Sequence, residues 1–95
     1  MRLGRLNASA QAFEHAVVIN SQEPVAWCRL GHVRLAAGEY AEAIQALDRA
    51  LDMNKLNEKE AQVVRRDMGE ALLEYGRVVA MIGTILFLML GLRHI

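Results

Sequence analysis

The chain has 95 residues, enough for one small domain with a core of marginal size and too few for two. Its eleven basic and eleven acidic side chains cancel and are scattered, so it lacks the electrostatic footprint of a nucleic-acid binder. The lone cysteine, Cys28, excludes an internal disulfide, and a reducing compartment is the simpler reading.

From Leu3 to Ile19 the apolar residues are broken by Arg5, Asn7, Gln11, Glu14 and His15, which is not the pattern of a secretory leader. Leu6, Ala10, Phe13 and Val17 instead recur three or four apart, predicting a first helix from about Leu6 to Ile19. Pro24 is tolerated in a helix only in the first turn, so a second helix begins there and runs to about Ala37. Gly38 interrupts the pattern. After it, Tyr40, Ala43, Ile44, Leu47, Ala50 and Leu51 mark one face of a third helix, and Glu42, Gln45, Asp48, Arg49 and Asp52 the other. Asn57 and Glu60 have the spacing of a capping box, with asparagine in place of serine or threonine. A fourth helix follows from about Glu58 to Tyr75, carrying Ala61, Val64, Met68, Leu72 and Tyr75 on one side. Gly76 is expected to break it, which leaves the uncharged stretch VVAMIGTILFLMLGL, Val78 to Leu92, as a fifth. Strand signals are absent, and alanine, leucine, glutamate and arginine dominate over a single proline. The expected fold class is all-α, with short connectors stacking about five helices as antiparallel hairpins.

The stretch PVAWCRLGHVRLAAGEYAEAIQALDRALDMN resembles a tetratricopeptide repeat, a helix-turn-helix unit of about thirty-four residues. Trp27, Leu30 and Gly31 match the first-helix signature, Gly38 and Tyr40 the turn, and Ala43, Ala50 and Leu51 the second helix. The choices also make physical sense in themselves. Trp27 and Leu30 supply bulk, while Gly31 and Ala43 are small enough to let two helices approach, and Ala50 does the same against the next hairpin. Three positions depart from the pattern: Arg34 stands where an aromatic is common, Leu47 replaces phenylalanine, and Lys55 replaces a closing proline, leaving the third helix free to lengthen.

Gly4, Leu6, Ser9, Phe13, Ala16 and Val17 stand thirty-four residues before Gly38, Tyr40, Ala43, Leu47, Ala50 and Leu51. The first helix therefore reads as the second half of another repeat. Met68, Gly69 and Gly76 reproduce Leu30, Gly31 and Gly38 at an offset of thirty-eight, so the last two helices read as a degenerate third hairpin. The expected organisation is a short solenoid of repeats over 1–57, made of a half-repeat at 4–20 and a complete repeat at 24–57. An amphipathic helix over 58–75 and an apolar C-terminal helix over 76–95, a candidate membrane anchor, follow. Arrays generally need about three units, so the chain is expected to belong to a longer array or to rely on a partner or a membrane.

Chemistry has little foothold. Cys28 and His32 lie one helical turn apart, but a closed zinc site needs four ligands, and His15 and His94 are distant in sequence. A Cys-His nucleophile pair lacks an orienting third group and an oxyanion hole. Glu39 with Glu42 and Glu58 with Glu60 read as the solvated faces of amphipathic helices. No catalytic residue, metal ligand set or cofactor is expected. The resemblance implies a scaffold that binds a protein or peptide, with Val25, Cys28, His32, Leu35 and Ala36 facing the groove. Some family members clamp a terminal carboxylate with lysine and asparagine where Cys28 and His32 stand, so an apolar or helical partner segment is expected instead. Packing between helices is assigned to Trp27, Leu30, Gly31, Gly38, Tyr40, Ala43, Leu47 and Ala50.

In the last helix the places of Ala41, Glu42, Gln45, Asp48 and Arg49 are taken by Val79, Ala80, Gly83, Leu86 and Phe87. A helix apolar all round has no face for water and must be covered by lipid, a partner or a longer chain. Fifteen residues span about 23 Å against a hydrocarbon core of about 30 Å, a gap that snorkelling by Arg77 and Arg93 narrows. Arg65, Arg66 and Arg77 precede the stretch, which would place the repeats on the cytoplasmic side of a membrane. The alternatives are a soluble, cytoplasmic chain whose Val78 to Leu92 helix is buried in a homo-oligomer or in a longer array.

Overall fold

A computed structural model describes residues 2–93, with side chains over 4–91. Four helices account for the described chain: α1 (Arg2–Ile19), α2 (Pro24–Ala36), α3 (Tyr40–Asp52) and α4 (Glu58–Arg93), with no strand among the described residues. The expected all-α stack of antiparallel hairpins is what the chain forms, with four helices in place of five.

Each connector is set by local chemistry. Pro24 opens α2, where its missing N–H orphans no carbonyl, and Trp27 Nε1–H donates to the Ser21 carbonyl at 2.9 Å to hold the preceding turn. At the other end of α2, Gly38 N–H donates to the Leu35 carbonyl (3.0 Å) and Glu39 N–H to the Arg34 carbonyl (2.9 Å). This pair of bonds is a Schellman closure, and it holds Gly38 at φ +80°, where a glycine pays no steric penalty. Lys55 in place of proline does not lengthen α3. The helix stops at Asp52 because Asn54 takes the left-handed conformation (φ 53°), a role asparagine fills better than most side chains. The capping box forms as its spacing predicts: Asn57 Oδ1 accepts from Glu60 N–H at 2.8 Å, and Asn57 N–H donates to Glu60 Oε1 at 3.0 Å.

The core lies between α2 and the helices on either side of it. Ala43, Leu47 and Ala50 are fully buried and Ala46 nearly so, all on the α3 face that meets α2 and α4. Gly31 fixes the spacing: a Cβ there would stand 2.6 Å from Leu47 Cγ and 3.3 Å from the Ala43 carbonyl oxygen. Phe13, Ala26 and Trp27 pack half-buried around Val17, Leu30 and Ala46, which ties α1 to this hairpin. Arg49 lies over the Trp27 ring, 5.5 Å from its centroid. Arg34 binds Glu39 at 2.6 Å and also Glu14 of α1, so the residue standing in an aromatic's place ties two helices by charge.

The break expected at Gly76 does not occur. α4 runs through it for 36 residues, about 54 Å, and sets the 56 Å long axis of the molecule. A glycine inside a helix costs only about 1 kcal/mol relative to alanine. A new start there would leave orphan N–H groups, because Arg77 and Val78 follow where an N-cap would be needed. Arg77 also pairs with Glu74 at 2.9 Å across the glycine. The buried face of α4 differs from the expected one as well. Ala61, Val64, Asp67 and Ala71 are buried, while Leu72 and Tyr75 are 53% and 43% exposed. Alanines let α4 approach α3 more closely than leucine and tyrosine would.

Beyond Ala71 the helix leaves the others. Every described residue from Tyr75 to Gly91 is exposed, including Phe87 at 76%. The side chains of Leu92 and Arg93, the expected outer flank, lie outside the described residues, as does His94.

Candidate functional site

α2 and α4 run in the same sense on either side of α3, and their facing residues bound a cavity of about 340 Å³. Its walls are Cys28, Arg29, His32, Val33, Val63, Val64 and Asp67. The hydrophobic period of α2 turns Cys28 and His32 toward it, and the capping box at Asn57 fixes where α4 begins and so which residues face them. Val33, Val63 and Val64 make the site largely apolar.

Two of the five expected groove residues, Cys28 and His32, line this cavity together. Val25 lies apart, in a second hollow with Phe13, Ala16, Glu23, Ala26 and Arg29 between α1 and α2. Leu35 is half-buried and Ala36 exposed, and neither lines these two hollows.

The residue that periodicity missed is Asp67, 4% exposed. Its Oδ2 lies 3.1 Å from His32 Nδ1, a polar tie between α2 and α4 at the wall of an apolar cavity. The signal was present in the spacing Ala61, Val64, Asp67, Ala71, which is as helical as the face built on Leu72, but it places a carboxylate in the interior. Such a burial is tolerable only with a hydrogen-bonding partner, and His32 is one. Cys28 is affected in turn: burial, then the charges of Glu60 and Asp67, push its thiol up to about 11. It stays a thiol at neutral pH, the opposite of an activated nucleophile. Among the described residues no three of histidine, cysteine, aspartate and glutamate converge as metal ligands.

Residues 24–55 match the family model of the tetratricopeptide repeat. This segment, about a third of the chain, is similar to a tetratricopeptide repeat. Neither the curated proteins nor the solved structures contain a match to the chain. The matched segment spans α2, α3 and the turn at Gly38, which is the hairpin that Gly31 and Leu47 hold together. Tetratricopeptide repeats are generally non-catalytic scaffolds that bind proteins or peptides, and the match over 24–55 suggests an interaction module. Its cavity draws on both the repeat and α4, since Val63, Val64 and Asp67 stand outside the matched segment.

Proposed function

We propose that the chain is a membrane-tethered interaction module: the repeat and the first half of α4 bind an apolar or helical segment of a partner, and the second half of α4 anchors them. One observation carries the tether. α4 is long and apolar enough to cross a membrane, and none of its most apolar window is buried. Water is a poor solvent for a helix with no polar face. The Thr84 hydroxyl donates to the Ala80 carbonyl of its own helix (2.9 Å), so it needs no outside partner in lipid. From Val78 to Arg93 the helix measures about 24 Å, and a bilayer of about 30 Å accommodates it by local thinning and by Arg77 reaching for the interface. Arg65, Arg66 and Arg77 support a cytoplasmic repeat, since the orientation rule counts basic residues near the span even where acids pair with them.

Alkaline carbonate extraction of membranes from expressing cells tests this reading. The chain should stay in the pellet, and recovery wholly in the supernatant would sink it. The shortness of the apolar segment favours a second reading, in which the same helix is buried in an oligomer. Under that reading, truncation before Arg77 converts an oligomer into a monomer, whereas an unchanged mass by light scattering counts against it.

A further inference from the structure

The uncharged part of α4 has a fixed length, and that length is short. Arg77 and Arg93 bound it in sequence and leave fifteen residues, about 23 Å of helix. The nearest leucines upstream, Leu72 and Leu73, are 53% and 56% exposed. They cannot extend the span, because Glu74 and Arg77 stand between them and Val78, paired at 2.9 Å. Drawing that pair into hydrocarbon would strip water from two charges, a cost that one contact does not offset.

Nor can the packed half of α4 slide inward to lengthen the span. Ala61, Val64, Asp67 and Ala71 are buried in the bundle, and Ala71 lies only about 10 Å from Val78 along an unbroken helix. Sinking α4 by two turns would bring Glu70 and the bundle itself to the hydrocarbon edge. A helix longer than the hydrocarbon core adjusts by tilting. A shorter one has no such freedom, and the lipid must thin around it.

We infer that residues 78–92 select thin bilayers, with a hydrocarbon core of about 23–27 Å, over the thicker core of a sterol-rich membrane. The inference rests on the tether proposed above and adds which kind of membrane takes it. Charge agrees with length. With the core ending at Val78, Arg77 lies at the phosphate layer, and Tyr75, two residues before it and exposed, stands at headgroup level with its hydroxyl toward water. In a core of about 30 Å centred on the same helix, each edge moves out by about 3–4 Å, past Arg77 and up to Tyr75. The guanidinium then starts inside hydrocarbon, and the ion pair with Glu74 straddles the boundary. Each further ångström of lipid adds to the mismatch, so the preference is graded and set by helix length.

Reconstitution of the full chain from dodecyl maltoside into vesicles of one headgroup and three thicknesses tests it. Dimyristoleoyl, dioleoyl and dierucoyl phosphatidylcholine provide the series, and the readout is the fraction that floats with the vesicles after an alkaline carbonate wash. Retention should be highest in the dimyristoleoyl vesicles and about tenfold lower in the dierucoyl ones. A variant with four leucines inserted after Leu86 lengthens the span by about 6 Å and should shift the best retention to the longer lipids, with helical circular dichroism maintained. Equal retention of the wild type in all three vesicles overturns the selection and leaves the anchor standing. Retention in none overturns the anchor, and this inference with it. An unchanged preference for dimyristoleoyl vesicles in the folded, lengthened variant also overturns the inference, because the preference then does not come from length.

Discussion

Gly31 is the residue on which the hairpin's closeness depends. A methyl group there would stand 2.6 Å from Leu47 Cγ and 2.7 Å from Leu47 Cδ2, and Leu47 is fully buried. Gly31→Ala is expected to lower stability by about 1–3 kcal/mol in urea denaturation. Leu47→Ala should lower it by about 2–5 kcal/mol, and the double variant by less than the sum, since each change relieves the other. His32→Ala leaves the buried Asp67 carboxylate without its partner at 3.1 Å and should cost about 1–3 kcal/mol by the same measurement. Cys28 makes a prediction in pH. Its folded thiol titrates at about 11 against an ordinary 9.0, so both states keep the proton below pH 9. Between pH 9 and 11 the unfolded chain releases it first, and folding weakens as pH rises through that window. The urea midpoint should fall there in the wild type more than in Cys28→Ser, and alkylation by iodoacetamide should stay slow until the same range.

Among the elements, the two glycines at equivalent positions behave in opposite ways. Gly38 sits at φ +80° and ends α2, so Gly38→Ala should destabilise by about 1–2 kcal/mol. Gly76 lies inside a continuous helix, and Gly76→Ala should stabilise α4 by up to about 1 kcal/mol, read as a higher melting temperature. A loss of stability there would mean that Gly76 is a turn after all. Asn57→Ala removes one arm of the capping box and should cost about 1 kcal/mol. The contrast also shows what could be read in advance. Trp27, Gly31, Gly38 and Ala43 declare a repeat because each has a packing or backbone reason to be where it is. Gly76 carries the same letter as Gly38, but its fate depends on whether a helix can start after it, and Arg77-Val78 offers no cap. Asp67 was illegible for a different reason: a lone carboxylate on a helix reads as solvated, and the tertiary approach of His32, beside the neighbouring Arg66, is what makes its burial tolerable.

At the scale of the whole molecule, α4 belongs to two environments. Its first half is packed against α2 and α3, and every described residue of its second half is exposed. No hinge separates them. About 10 Å of helix lies between Ala71, the last buried residue, and Val78, where the uncharged stretch begins. A straight helix transmits rotation as faithfully as it sets distance. One residue inserted after Tyr75 would turn the repeat by about 100° about the helix axis, and four would bring it nearly back while lifting it by about 6 Å. Under the proposed tether, the cavity between α2 and α4 is therefore keyed to a compass direction around residues 78–91. A partner held at a fixed bearing in the same membrane would lose contact on the single insertion and largely recover it on the fourth.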